Sequence, residues 1–271
     1  MNPDTPAPGI PTQFADGLAV YGINENETKY LHQEIFKDRV YIPDGGFQLG
    51  TRPVIFDIGA NIGMFTLFAH KEWSDARIHA FEPVPQICDV LRRNTEDLPG
   101  VHVHQLGAGG GDYTTTISYY PDFTVMSGLD ADPDRDAASV RTYVLNKARD
   151  EHTPEEFEFI SEHVDALLAN KFAPVQVDCE IAAMDTLVHR SGVDRIDLLK
   201  VDAEGQELAI LEGVEESLWP QIENAVVEID GNGKVVASRD LMERHGMRTS
   251  LVQPREYRDT EQYILYAWRV N

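Results

Sequence analysis

The chain has 271 residues, 42% of them apolar, which is enough for one α/β domain with some decoration or at most two small ones. Its formal charge of −23, with the 23 Lys and Arg scattered rather than clustered, excludes DNA or RNA as a bulk partner and is read as a solubility device. Cys88 and Cys179 form no C-x-x-C pair, which excludes a disulfide scaffold and a structural zinc site and places the chain in a reducing cytoplasm.

Taken from its start, MNPDTPAPGIPT has no positive n-region and no apolar h-region, so it is not a secretory leader, and its prolines predict a short disordered tail. No segment is apolar for long enough to span a bilayer, and no membrane partner is expected. Asn26–Phe36 carries Tyr30, Leu31, Glu34 and Ile35 at helical spacing and predicts a short lead-in helix. Tail and lead-in helix together occupy residues 1–50, ahead of a main domain over 51–271.

After the turn cluster IPDGG the chain alternates. Val54–Ile58 is predicted as a first strand, Ile62–Lys71 as a helix and Arg77–Phe81 as a second strand. Pro85–Asp97 follows as a helix opened by proline, and Val101–Leu106 as a third strand. This pace implies right-handed βαβ units and a parallel sheet. Tyr113–Tyr120 is rich in β-formers with alternate polar places and predicts an edge strand.

Residues 121–174 are acidic and mostly helical, and are expected to be an insertion that covers the sheet as a lid. Thr153, Pro154 and Glu156 spell a capping box, after which Phe157, Ile160, Val164 and Leu167 mark one apolar stripe. The alternation is expected to resume at Val175–Ile181. Ile196–Val201 is a predicted fourth strand, Gln206–Leu211 lies in a helix, and Ala225–Ile229 is a fifth strand. A helix near Val235–His245 precedes two last segments, one holding Leu251 and one, Tyr263–Val270, strongly strand-like.

The chemistry concentrates at strand ends. In VIFDIGANIGMFTLFAHKEW a strand runs through a glycine turn into a helix, the outline of a nucleotide site. The turn reads Asp57, Gly59, Asn61, Gly63 rather than G-x-G-x-x-G, and Asp57 at the strand end would repel a pyrophosphate. It suits a ligand that offers an ammonium and no phosphate, as S-adenosylmethionine does. Glu82, at the end of the second strand, is placed to accept from ribose hydroxyls. Each feature alone reads as readily as a packing turn or a solvated acid; together, one βαβ unit apart, they favour a cofactor site.

In a doubly wound sheet the crevice opens between the first and fourth strands. There the fourth strand brings Lys200, Asp202, Glu204 and Gly205, and the fifth brings Glu228 and Asp230. The bland alternative pairs Lys200 with one carboxylate and leaves the others solvated.

These stretches, FDIGANIGMFTLFA, HAFEP, IDLLKVDAEGQELAILEGVEE and AVVEID, resemble the FkbM family of S-adenosylmethionine-dependent methyltransferases. The resemblance spans about Val54 to Asp230. ETKYLHQEIFKDRVY is similar to the lead-in of FkbM-type O-methyltransferases of natural-product pathways. The resemblance implies a Rossmann-like class I methyltransferase, an α/β fold whose seven-stranded, mostly parallel sheet carries helices on both faces. An antiparallel last strand, here YILYAWRV, would lie between the fifth and sixth. It also implies cofactor contacts at Asp57, Gly59, Asn61 and Gly63, with Glu82 on the ribose. In the glycine-rich LGAGGGDYTTT, where the chain departs from the family pattern, Asp112 is the candidate adenine contact.

The expected activity is O-methylation of a hydroxyl on a small natural-product metabolite, free rather than held by an equally acidic carrier protein. An alcohol needs a base or a metal to lose its proton, whereas a carboxylate acceptor needs neither. The base candidates are Asp202, Glu204 and His32, with Lys200 beside them, and Asp202, Glu228 and Asp230 form an oxygen set that would suit Mg²⁺. N- or carboxyl methylation stays open. A nicotinamide-dependent oxidoreductase and a non-catalytic nucleotide-binding protein are the readings from other classes.

Overall fold

The structure, a computed structural model, describes residues 9–270. Most of the proline-rich tail expected to be disordered lies outside the described residues. Its last part is ordered: β1 (Ile10–Gln13) pairs antiparallel with β2 (Ala19–Gly22). This corrects the tail reading, and the reason lies far along the chain. Asn94 clamps the backbone of Tyr21, accepting its N–H and donating to its carbonyl at 2.8 Å each. The lead-in helix is α1 (Glu25–His32), capped by Asn24 and continued by a π-helical turn over Gln33–Lys37.

The main unit follows as β3 (Val54–Ile58), α2 (Met64–Glu72), β4 (Arg77–Phe81), α3 (Pro85–Thr95) and β5 (Val101–His104). Helix α2 begins later than expected because Asn61 and Gly63 hold φ of 47° and 91°, outside the helical region. Then come β6 (Gly107–Ala108), β7 (Tyr113–Tyr119), α4 (Pro133–Glu151), α5 (Pro154–Leu168), β8 (Val175–Ala182) and α6 (Met184–Ser191). The chain closes with β9 (Leu198–Val201), α7 (Glu207–Glu212), β10 (Asn224–Asp230), α8 (Asn232–Arg244), β11 (Arg248–Val252) and β12 (Gln262–Trp268).

The seven-stranded sheet has the order β11-β12-β10-β9-β3-β4-β5, with β12 antiparallel to both of its neighbours. This is the class I methyltransferase arrangement that the resemblance implies, and YILYAWRV forms the inserted antiparallel strand. Both faces are covered, so the central strands are apolar on both sides. Ile55 and Leu198 pack on the side of Phe65 and Phe68, whereas Phe56 and Leu199 pack toward Leu187 and Met242.

Two expectations change. Val175–Ile181 does not return to the main sheet, because β7 and β8 pair antiparallel with each other in a separate three-stranded sheet, order β6-β8-β7. The insertion is a helical hairpin, α4 against α5, but its apolar stripe ends one residue later than expected. Val164 is buried while Leu167 is 65% exposed, and Leu168, a full turn after Val164, packs with Tyr120 and Phe172. The hairpin is tied down near its turn, where the Asn146 amide donates to the carbonyls of Glu256 and Arg258 at 3.1 and 2.6 Å. Among the described residues no helix is long and apolar enough to cross a membrane.

Candidate active site

The turn after β3 is shaped by its neighbours. Gly59 has φ 71°, and a Cβ there would stand 1.7 Å from the carbonyl oxygen of Asp202, so only glycine lets the β3 and β9 ends meet. The Gly59 and Ala60 N–H groups both donate to the Phe81 carbonyl, at 3.1 and 3.0 Å. Asn61 then donates its N–H to Glu82 Oε2 at 3.1 Å, and Val84 donates to Glu82 Oε1 at 2.9 Å. Glu82 is thereby fixed at the end of β4, and burial pushes its carboxyl up to about 7.

Gly59, Asn61, Glu82, Gly107 and Ala108 line a small crevice of about 80 Å³. The charged residues lining it are Glu82, Asp202 and Glu204; no Lys, Arg or His does. Such a wall suits a cationic ligand with hydroxyls to donate, and it offers nothing to a pyrophosphate.

Three of the residues expected as cofactor contacts do not line this crevice. Asp57 is fully buried behind the crevice; its Oδ2 accepts from the Thr66 hydroxyl at 2.6 Å and its Oδ1 pairs with the Lys200 ammonium at 3.3 Å. In the β3–β9 register Asp57 and Lys200 are direct neighbours, so the acid meets a protein ammonium. Gly63 begins α2 and faces Leu91, which a Cβ would approach to 2.6 Å. Asp112 accepts from the Ala183 N–H and the Thr186 hydroxyl, both at 2.8 Å, and so caps α6. The wall where an adenine contact was expected from Asp112 is instead built by Gly107 and Ala108.

Lys200 is only 2% exposed and does not reach the crevice. Its ammonium donates to the carbonyls of Ile58 and Gly59 at 3.3 and 2.8 Å and pairs with Asp202 at 3.3 Å. Burial favours the neutral amine, but Asp202 and Asp57 outweigh it and hold the pKa above its ordinary value. Lys200 therefore binds the ends of β3 and β9 together.

A second cavity, about 420 Å³, adjoins the crevice. Leu31, Val125, Asp202 and Glu204 line both, so the two spaces meet at these residues. Glu204 holds φ 46°, rare for a residue with a side chain, and no protein group bonds its carboxylate. Burial and then the charge of Asp202 raise its pKa well above the ordinary carboxylate range.

Deeper in, the Tyr41 hydroxyl donates to Glu228 Oε2 at 2.8 Å and lies 3.1 Å from Asp202 Oδ2. Glu34 Oε1 accepts from Tyr30 at 2.6 Å and from Tyr257. Burial pushes Glu34 up to about 7 and also raises Glu228 well above the ordinary carboxylate range. Phe123, Met126, Val140, Val144 and Leu168 form the apolar side of the cavity.

The structure separates the remaining candidates. His32 points away from both cavities, stacked between Phe14 and Phe36 with its Nε2 2.9 Å from Asp16, so it is a packing residue and not a base. Asp230 lines a third cavity with Arg135 and Lys234. The Tyr41 hydroxyl stands between Asp202 and Glu228, and among the described residues no group of three His, Cys, Asp or Glu is arranged to hold a metal ion. The Mg²⁺ set expected from Asp202, Glu228 and Asp230 is thus not assembled. Sequence reasoning missed Tyr30, Glu34, Tyr41 and Tyr257; only the first two had a signal, their spacing of four on one helix face.

The profile of the methyltransferase FkbM domain matches residues 57–249. The chain is 34% identical to the 31-O-demethyl-FK506 methyltransferase FkbM of Streptomyces tacrolimicus, over 95% of this chain and 96% of that one. It is 33% identical to the AMB antimetabolite synthetase AmbE of Pseudomonas aeruginosa, over 96% of this chain but 12% of the synthetase's length. Among solved structures, M. capricolum TrmK in complex with S-adenosylhomocysteine is similar at a TM-score of 0.41 and 11% identity, over 83% of this chain and 65% of that one. The chain belongs to the FkbM methyltransferase family.

Proposed function

We propose that the chain transfers a methyl group from S-adenosylmethionine to a hydroxyl of a small natural-product metabolite. The observation that carries this reading is the meeting of two cavities at Asp202 and Glu204, one shaped for a phosphate-free cationic donor and one for an acceptor. Glu82 keeps a lone pair on each oxygen for ribose hydroxyls, and Asp202 and Glu204 face the side where an ammonium and a sulfonium would lie. Bound there, the donor supplies an electrophilic methyl group. The residues of this chain do the rest: Glu82 and the turn would hold the donor, and the cavity walls would orient the acceptor hydroxyl toward it.

Glu204, without a hydrogen-bond partner, takes the hydroxyl proton. Lys200 pairs with Asp202 and holds it in place. The carboxylates of the second cavity would repel a carboxylate acceptor, which supports oxygen of an alcohol over carboxyl methylation. The FkbM relative, named for an O-demethyl compound, supports the same. The reading places the reaction on a free acceptor in the cytoplasm, where the buried thiols of Cys88 and Cys179 stay reduced.

Calorimetry with S-adenosylhomocysteine, and with NADH in parallel, tests the donor. Micromolar binding of the first alone, weakened at least about tenfold by Glu82→Gln, is expected. Binding of NADH alone would overturn the reading.

A further inference from the structure

The acceptor cavity gathers more carboxyl groups than proton abstraction requires. Glu34, Asp202, Glu204 and Glu228 all line it. Lys171, at the mouth, pairs with Asp122 at 3.2 Å, and Lys200 is turned away onto the carbonyls of Ile58 and Gly59. Among the described residues no other cation lines the cavity.

The carboxylates are also incompletely satisfied by protein. Glu34 is 6% exposed, yet both of its hydroxyl partners share Oε1 and no protein donor reaches Oε2. Glu228 receives Tyr41 on Oε2, with no protein donor to Oε1. These oxygens belong to residues that line a space large enough for a ligand, which could supply the missing donors.

The surrounding rings supply an independent observation. Tyr30, Tyr143 and Tyr257 meet edge to face and tilted, with centroids 5.4 and 5.6 Å apart, and Tyr41 also lines the cavity. The hydroxyls of Tyr30 and Tyr257 are spent on Glu34 and that of Tyr41 on Glu228, so what these three offer a ligand is ring surface. Tyrosine faces beside carboxylates form the environment that stabilises an ammonium. Next to them the apolar wall of Phe123, Met126, Val140, Val144 and Leu168 offers a ligand no hydrogen bonds.

We infer that the acceptor is an apolar amino alcohol. Its protonated amine lies among Tyr30, Tyr257, Glu34 and Glu228, its apolar body lies on the α4 side, and its hydroxyl rests on Asp202 and Glu204. The inference rests on the methyl-transfer reading of the same site. An ammonium gives Glu34 Oε2 and Glu228 Oε1 the donors they lack and offsets their mutual repulsion. A neutral alcohol would leave that repulsion in place, and a carboxylate would add to it.

The test uses hexylamine, 1-hexanol and hexanoate as probes of the full chain, followed by ligand-observed NMR at neutral pH, with and without S-adenosylhomocysteine. Hexylamine is expected to bind at least about tenfold tighter than hexanol, with hexanoate weaker than both. Glu34→Gln and Glu228→Gln, isosteric changes, should each remove most of that preference while hexanol binding and S-adenosylhomocysteine binding stay within about twofold. Equal affinity for hexanol and hexylamine in the wild-type chain, a comparison that needs no variant, overturns the inference. An amine preference that survives both substitutions does so too, since it would then come from the acidic surface at large.

The two readings fail separately. If S-adenosylhomocysteine binds and the amine preference is missing, the amino alcohol falls and methyl transfer stands. If the preference is present and S-adenosylhomocysteine does not bind, the cavity assignment stands and the methyl-transfer reading falls.

Discussion

The donor crevice and the acceptor cavity share a wall, yet they are made in opposite ways. The crevice is shaped largely by backbone at the ends of neighbouring strands. Gly59 closes against Asp202, the Asn61 N–H holds Glu82, and Gly107 and Ala108 give the far wall. The cavity is built from side chains brought from across the chain: Tyr30, Glu34 and Tyr41 before the family match at residues 57–249, and Tyr257 and Gln262 after it. A site made of backbone varies little with side-chain identity, whereas a site made of distant side chains can be re-specified one residue at a time.

The largest effect is expected where the two sites share a support. Lys200→Met leaves Asp57 buried and uncompensated beside Asp202, and should cost about 3–5 kcal/mol of stability in denaturant unfolding. A loss under about 1 kcal/mol would mean that the ion pairs are not what joins β3 to β9.

Gly59→Ala sharpens the contrast from the donor side. Beyond the roughly 1–2 kcal/mol for a left-handed alanine, its Cβ cannot share space with the Asp202 carbonyl, and affinity for S-adenosylhomocysteine should fall at least about tenfold. Unchanged affinity would show that the turn does not set the crevice.

Tyr41→Phe probes the acceptor side. It removes the hydroxyl between Asp202 and Glu228 and should cost about 1–3 kcal/mol, leaving S-adenosylhomocysteine binding within about twofold. A matching loss of donor binding would erase the distinction between the two sites.

A further expected effect is the pH dependence of stability. Burial holds Glu27, Glu34, Glu82 and Glu207 at about 7, above the ordinary value of 4.5, so the folded chain binds their protons more tightly than the unfolded chain does. Their contribution is complete below about pH 4.5 and is lost as pH rises through 7. His79, pushed down to about 3 from 6.5 by burial, acts oppositely and loses its contribution as pH falls from 6.5 toward 3. Thermal unfolding should therefore show a higher midpoint near about pH 6 than near about pH 8. A midpoint that rises toward pH 8 would mean that these carboxyls are not held protonated.

The parallel sheet was legible because its strands are covered on both faces. VIFDI and IDLLKV then read as short apolar runs stopped by glycine, and Glu82 was findable as the acid that ends the second strand. What failed to read was side-chain direction. Nothing in VIFDI says that Asp57 meets Lys200, because that contact exists only once β3 and β9 lie in register. His32 and Glu34 sit two positions apart, and the burial of one against Phe14 and Phe36 and the turning of the other into the cavity depend on what packs around them. Tyr41 and Tyr257 fall in irregular stretches with no periodicity to mark them.

The bond between Tyr257 and Glu34 joins residues 223 positions apart. During synthesis, β3, β4 and β9 can assemble while the last strand is still inside the ribosome, but Glu34 must wait for its partner. The donor crevice is thus completed early, and the pocket that reads the acceptor only once the segment holding Tyr257 has emerged. A nascent or truncated chain ending before Tyr257 would carry the crevice without its selector.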